Sequence, residues 1–530
     1  MKPRFFVLII AMMIGASVTT AQSSSPASPS QQAQTGPTKQ AASEQVPKPA
    51  EKKVEDCGCE AANTPIDVAA IVNGVKITTK EIDDQVNDEK SGLQKQVVDA
   101  RRRELNLQIN SRLLEAEATR RGTTAANVLE QEIIAAVKDP TDAETQAFYD
   151  ENKSRIPGPF RDFKQQIVEY IKAQRQEGAA KKFADKLRSA ADVKILVQTV
   201  TAPQSESDRA KVLATVNGAA ITSGDVENAL KPLIYDVQLR VYGLRKAELA
   251  LRINDLLLEQ EAQKRKITPK ALVDAELTPN VKKVSEAEAK KFFEDNKDQI
   301  EGEYEQLKDQ IVDHLQKKEQ RRAEVVFADR LRQGAKIEMN LKEPESPVFQ
   351  IATDDQPSRG KADAPVTIVE FTDFECSTCQ QSQPVLEKLA QDFPAKVRLV
   401  VRDYPLEKHK NAFKAAEAAE AAREQGKYWD YSAVLFENQK ELGVEKLKEY
   451  ASKVGLDRKK FDAELDAGKY AAKVQRDMQD GMRAGVSGTP TIFINGRRVS
   501  DRTYEALRAA VEEALKTPGS QSERRDADRR

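Results

Sequence analysis

PVTIVEFTDFECSTCQQSQPVLEKLAQDF, residues 365–393, decides the fold of the C-terminal third of this 530-residue chain. The opening PVTIVEF is apolar and β-branched, which reads as a buried strand. Cys376-Ser377-Thr378-Cys379 follows where that strand ends and a helix begins, with Val385, Leu386 and Leu389 on one face of the helix. Working outward, KVRLVVRDYPL (396–406) reads as a second strand, and an Ala-rich stretch from about Lys410 to Met482 as helices. GVSGTPTIFINGRRV (485–499) carries a further strand, and a closing helix runs over about 501–516. The expectation is an α/β domain with a helical insertion.

The chemistry of thiol–disulfide exchange needs this arrangement. The thiolate is the nucleophile, and a free cysteine has a pKa of about 8.5. A cysteine at a helix N-terminus meets unpaired backbone N–H groups and the positive end of the helix dipole, and both favour the thiolate. The C-x-x-C spacing sets the second sulfur one helical turn in, where it can attack and release a mixed disulfide. Cys376 is therefore expected to be the nucleophile and Cys379 the resolving thiol. Half of a zinc site and a purely structural disulfide are the competing readings. Structural zinc takes four ligands, yet the remaining cysteine pair lies more than 300 residues away and the chain has only two histidines, His314 and His409. No metal is expected, and no cofactor beyond the Cys376–Cys379 disulfide.

Strand, C-x-x-C, helix and the late Thr489-Pro490 before TIFIN together resemble the DsbA-like exported branch of the thioredoxin superfamily, over about 348–516. The resemblance implies a cis Pro490 against the disulfide and a Thr489 whose backbone meets a substrate strand. It also implies an acid, Glu370, under the resolving cysteine. A buried Glu370 could take a proton from Cys379, whereas an exposed one would be a strand-edge charge. Ser377-Thr378 departs from the family, whose oxidants tend to carry Pro after the first cysteine. These two hydroxyls are expected to line the substrate side and could hydrogen-bond Cys376. His409, Tyr428 and Trp429 are expected only to pack the insertion on the core.

Upstream lies a tandem duplication. AAIVNGVKITTKEID (69–83) matches LATVNGAAITSGDVE (213–227), and ELNLQINSRLLEAEA (104–118) matches ELALRINDLLLEQEA (248–262) at 10 of 15 positions. AETQAFYDENK (143–153) matches AEAKKFFEDNK (287–297), and the offset is 144 residues throughout. Each copy reads as a β-branched piece with an Asn-Gly turn, then long helices, then a short β-like close at 192–200 or 336–341. Leu105, Ile109, Leu113 and Leu114, like Leu249, Ile253, Leu257 and Leu258, read as core. The copies resemble the chaperone region of SurA and PpiD-like periplasmic folding factors, without the parvulin prolyl isomerase. That resemblance implies polypeptide binding. The two copies are placed at 65–200 and 209–343, with dimerisation through them as the rival to client binding.

The N-terminal MKPRFFVLIIAMMIGASVTTAQ has the parts of a secretory signal over 1–21, with a short anchor helix as the alternative. Residues 22–64 and 517–530 read as a disordered tether and tail. Export puts cysteines where disulfides persist. Cys57-Gly58-Cys59 in the tether could exchange electrons with Cys376 and Cys379, link subunits, capture a soft metal, or be incidental. Lys plus Arg is 84 against 85 Asp plus Glu, which argues against nucleic acid as a partner. The basic runs at 101–103 and 317–322 are expected to be solvated helix faces. The functional expectation is an exported, periplasmic thiol:disulfide oxidoreductase acting on unfolded secreted proteins, recycled by a membrane redox partner, with its direction open. The alternative is a holdase or assembly scaffold with the thioredoxin-like domain as a docking module.

Overall fold

The computed structural model describes residues 57–58, 67–297, 300 and 302–516. The signal peptide at 1–21, most of the tether at 22–64 and the tail at 517–530 lie outside the described residues. The chain divides into two units, one of Met1–Gly58, Val97–Tyr235 and Ser346–Arg530, the other of Cys59–Gln96 and Asp236–Glu345.

In the second unit, β1 (Val68–Val72) and β2 (Val75–Thr78) form a hairpin around Asn73-Gly74, both at positive φ. Such a two-residue turn matches the twist of the flanking strands, which is why Asn-Gly favours it. β1 also pairs antiparallel with a strand from the far end of the repeat region, Ile337–Met339, with Ile71 opposite Glu338. Asn73 Oδ1 accepts from Lys336 N at 2.8 Å, which pins the joint. The face of this sheet buries Ala70, Val72 and Ile77 against Leu249, Ile253 and Leu257 of helix Ser223–Arg265.

The first unit repeats the design with the partners reversed. β3 (Val193–Ile195) closes the first sequence copy and pairs with β4 (Val212–Val216), which opens the second. β4 turns through Asn217-Gly218 into β5 (Ala219–Thr222), and Asn217 N donates to Asp192 O at 2.8 Å. Leu213, Ala214, Val216 and Ile221 pack on Leu105, Ile109 and Leu113 of helix Asn87–Arg120. The two copies have therefore exchanged hairpins, and β1 waits for the last strand of the region, here β6 (Ile337–Met339). The exchange follows from chain order. β3 and β4 are close in sequence, so their pairing has little loop entropy to overcome, and the exchanged sheets keep the contacts that same-copy sheets would have.

Two expectations change. The run at 101–103 is not a solvated face throughout: Arg102 and Arg103 are exposed, but Arg101 is 1% exposed. Its Nε donates to Glu227 Oε1 at 2.5 Å and its Nη2 to Glu227 Oε2 at 3.3 Å. A guanidinium is buried only when a carboxylate neutralises it, and its planar fork suits a carboxylate. Cys57, assigned to a loose tether, is buried and disulfide-bonded, and Gly58 sits against Ala202 at a positive φ where a side chain would clash.

The C-terminal region has a five-stranded sheet in the order Arg497–Val499, Thr491–Ile494, Val366–Thr372, Val397–Asp403 and Ser358–Arg359. β8 (Val366–Thr372) and β9 (Val397–Asp403) run parallel at its centre, and β10 (Thr491–Ile494) lies antiparallel beside β8. β7 (Ser358–Arg359) and β11 (Arg497–Val499) are the edges. Helices Ser377–Asp392 and Tyr504–Lys516 bury Leu386, Leu389, Leu507 and Val511 against Val366, Ile368 and Leu399 of the sheet. The Ala-rich stretch forms five helices between Ala412 and Arg483. A buried ionic cluster ties this insertion to the sheet. Lys473 Nζ meets Glu420 at 2.9 Å and Asp477 at 3.0 Å, and Arg402 of β9 donates to Asp477 at 2.8 Å. Burying these charges is tolerable because each is paired.

Candidate active site

Cys376 is the N-cap of helix Ser377–Asp392, with extended backbone (φ −83°, ψ 115°). The strand delivers it there because Asp373 O accepts from Cys376 N at 3.1 Å, closing a tight turn. Both cysteines are free thiols, Cys376 9% exposed and Cys379 0%. A hydrogen bond from the Cys379 thiol, joined by the N–H groups of Cys379 and Thr378, outweighs burial and holds the Cys376 thiol down at about 4. Burial, the bond to Cys376 and the nearby Glu370 push Cys379 strongly the other way. One sulfur is thus poised as thiolate and its neighbour as thiol, the division that exchange chemistry needs.

Glu370 lies on central strand β8 opposite Ile492 and Val401, and is fully buried. It is not a strand-edge charge. Burial raises its carboxyl to about 7, although Ser382 Oγ donates to it at 2.7 Å and Gln383 Nε2 at 3.0 Å. Its charge also contributes to the rise of Cys379.

The Thr489-Pro490 peptide bond is cis, and Thr489 O lies 3.3 Å from Cys376 Sγ. Cys376, Ser377, Thr378 and Thr489 line one groove of about 560 Å³. Ser377 and Thr378 face solvent, and the Cys376 sulfur is met by backbone N–H groups. Cys57 does not line this groove, and Cys59 lies outside the described residues. Among the described residues, no group of three or more His, Cys, Asp or Glu side chains could hold a metal ion.

Sequence reasoning missed a second layer. Asp373 is buried and accepts from Glu375 N at 2.7 Å, from Leu406 N at 2.8 Å and from His409 Nδ1 at 2.7 Å. Glu375 reaches the start of helix Ala412–Glu424, accepting from Asn411 N at 2.8 Å and Ala412 N at 2.9 Å. Carboxylates bind helix N-termini well because the first N–H groups are unpaired. Two acids just ahead of Cys376 thus clamp loop 404–411 beside it, and His409, expected only to pack, lines the groove. Gln439 holds the opposite side, donating to Phe374 O at 2.8 Å and Cys376 O at 3.0 Å. The readable signal was the alternation of acids in Asp373-Phe374-Glu375.

A family model described as Thioredoxin matches residues 352–513. The structure of oxidised BdbD from Bacillus subtilis is 26% identical and covers 33% of this chain and 100% of its own, with a TM-score of 0.31. A thioredoxin-like oxidoreductase from Silicibacter pomeroyi is 28% identical, covering 31% of this chain and 94% of its own, with a TM-score of 0.29. Among curated relatives, a protein named Na(+)/H(+) antiporter NhaA 3 from Salinispora tropica is 43% identical over 159 residues, 30% of this chain and 24% of the relative. The chain spans about a quarter of the length of the curated relatives it matches. No described helix is long and apolar enough to cross a membrane. The C-terminal region is a thioredoxin-like α/β fold.

Proposed function

We propose that this protein is an exported thiol:disulfide oxidoreductase that passes disulfides to cysteines of unfolded secreted proteins. The observation that carries the reading is the geometry at the helix N-terminus. Cys376 is the N-cap, its sulfur 3.3 Å from Thr489 O before the cis Pro490, and the fully buried Cys379 follows three residues on. This setting holds Cys376 down at about 4 and pushes Cys379 up. A low nucleophile pKa stabilises the reduced form, which makes the disulfide a strong oxidant. A client thiolate attacks Cys376 Sγ, the Cys376–Cys379 bond breaks, and Cys379 leaves with the electron pair. Glu370, with its carboxyl raised to about 7, supplies the proton to Cys379. A second client thiolate then attacks the client sulfur of the mixed disulfide and releases Cys376 as thiolate. The two thiols left behind are reoxidised by a membrane redox partner, and no cofactor beyond the disulfide takes part.

The signal-like N-terminus supports export to the periplasm. The duplicated helical units, similar in sequence to SurA-type chaperone regions, serve as client holders in this reading. Tethering raises the local concentration of client cysteines near Cys376. Oxidative refolding of a reduced, unfolded ribonuclease tests it. The full chain in its oxidised form should restore ribonuclease activity, and Cys376→Ser should not. Equal rates for the two would refute the proposal.

A further inference from the structure

We propose that His409 is the proton carrier of the groove, moving a proton to or from the client sulfur, with Asp373 as its positioning residue. The inference rests on the exchange reaction proposed above and adds a residue to it. Three observations carry it. His409 and Cys376 line the same groove. Asp373 Oδ2 takes up His409 Nδ1 at 2.7 Å, which leaves Nε2 as the ring nitrogen that can meet a ligand. Asp373 is itself fixed by the N–H groups of Glu375 and Leu406, so the imidazole is held by the same turn that presents Cys376.

An ionised carboxylate only accepts, so the pair puts the proton on Nδ1 and makes Nε2 the acceptor of the neutral ring. This is the arrangement by which a carboxylate orients a catalytic imidazole beside a nucleophile. Glu370 cannot do the same work, because it is fully buried, does not line the groove and is bonded to Ser382 and Gln383. The proton balance divides accordingly, with Glu370 serving Cys379 and His409 serving the client. When reduced protein meets a disulfide, the Cys376 thiolate forms a bond to one sulfur and the disulfide breaks. The leaving sulfur takes the electron pair and then the Nε2 proton of the imidazolium form, leaving the ring neutral until water in the groove reprotonates it. In the donating direction neutral Nε2 takes the proton from a client thiol as its sulfur attacks Cys376. Asp373 is bonded to the ring, and the charged groups that share the groove with it are Glu375 from the turn, the Cys376 thiolate, and Glu407 and Lys408 on its own loop.

The test compares two disulfides that differ in their need for a proton. An aromatic one, 5,5′-dithiobis(2-nitrobenzoic acid), releases a thiolate that is stable without protonation. Oxidised glutathione releases an alkyl thiolate that is not. Reduced full-length protein and His409→Gln should react equally fast with the aromatic probe. With oxidised glutathione the variant should be slower by on the order of 10²-fold, the lower range of general acid–base effects, and should lose one limb of its pH–rate profile. Equal slowing with both probes would make His409 merely structural, and no slowing with either would remove it from the reaction. If the variant fails to fold, wild-type protein answers alone, since the pH limb should appear with glutathione and be absent with the aromatic probe. The same limb with both overturns the proposal. Failure of wild-type Cys376 to react with the aromatic probe would instead strike the oxidoreductase reading itself.

Discussion

Glu370 and Ser382 meet under the active-site helix, where the Ser382 hydroxyl donates to the Glu370 carboxyl at 2.7 Å in a site closed to solvent. The sheet places the acid and the helix places the hydroxyl, so the bond records how strand and helix stack. Burial still outweighs it and lifts the carboxyl from its usual 4.5 to about 7.

A pH dependence of stability follows. Between about 4.5 and 7 the folded state keeps the Glu370 proton while the unfolded state loses it, so stability falls as pH rises through that window. A rise of this size is worth about 3 kcal/mol at pH 8. Glu370→Gln should flatten the decline between pH 5 and 8, measured by urea unfolding. It should also slow protonation of Cys379 and thus client oxidation. An unchanged slope would refute the assigned titration.

Cys376 should react with iodoacetamide as a thiolate down to about pH 5, given its displacement to about 4. Cys379, buried and pushed upward, should stay unmodified at neutral pH. Mass spectrometry of the alkylated peptide spanning 376–379 reads both. Labelling of Cys379 ahead of Cys376 would reverse the roles.

The buried Arg101–Glu227 pair should behave as a unit. Glu227→Gln leaves a guanidinium uncompensated and should cost about 3–5 kcal/mol, while Arg101→Met with Glu227→Leu should recover most of it. Chemical denaturation followed by circular dichroism checks this. Additive losses in the double variant would contradict the pairing.

Hairpin exchange predicts a specific cross-link. Ile71 faces Glu338 across β1 and β6, so Ile71→Cys with Glu338→Cys should oxidise within one chain. A cross-link of Ile71→Cys to Lys194→Cys, the same-copy pairing, would contradict the exchange.

Much of this was readable from residues, for physical reasons that differ by element. The two central strands of the C-terminal sheet were legible because β8 and β9 each carry an apolar, β-branched centre, Ile368-Val369 and Leu399-Val400-Val401. Cys376 and Cys379 were legible because C-x-x-C at a strand-to-helix junction has few other uses. The Asn-Gly turns were legible because Asn73 and Asn217 must take positive φ. The exchange of hairpins was not, because two copies with the same apolar pattern offer each hairpin two equivalent faces. Arg101 was misread because its partner, Glu227, lies 126 residues away. His409 was missed for the same reason, since its tie to Asp373 spans 36 residues and only the fold closes it.

The central claim is that the Cys376–Cys379 disulfide is a donor. The most direct test is its reduction potential in the full-length protein, equilibrated in glutathione buffers and read by alkylation of the peptide that holds both cysteines. The account predicts a value more oxidising than about −180 mV, toward the DsbA figure of about −120 mV. A value at or below the thioredoxin figure of about −270 mV would contradict it.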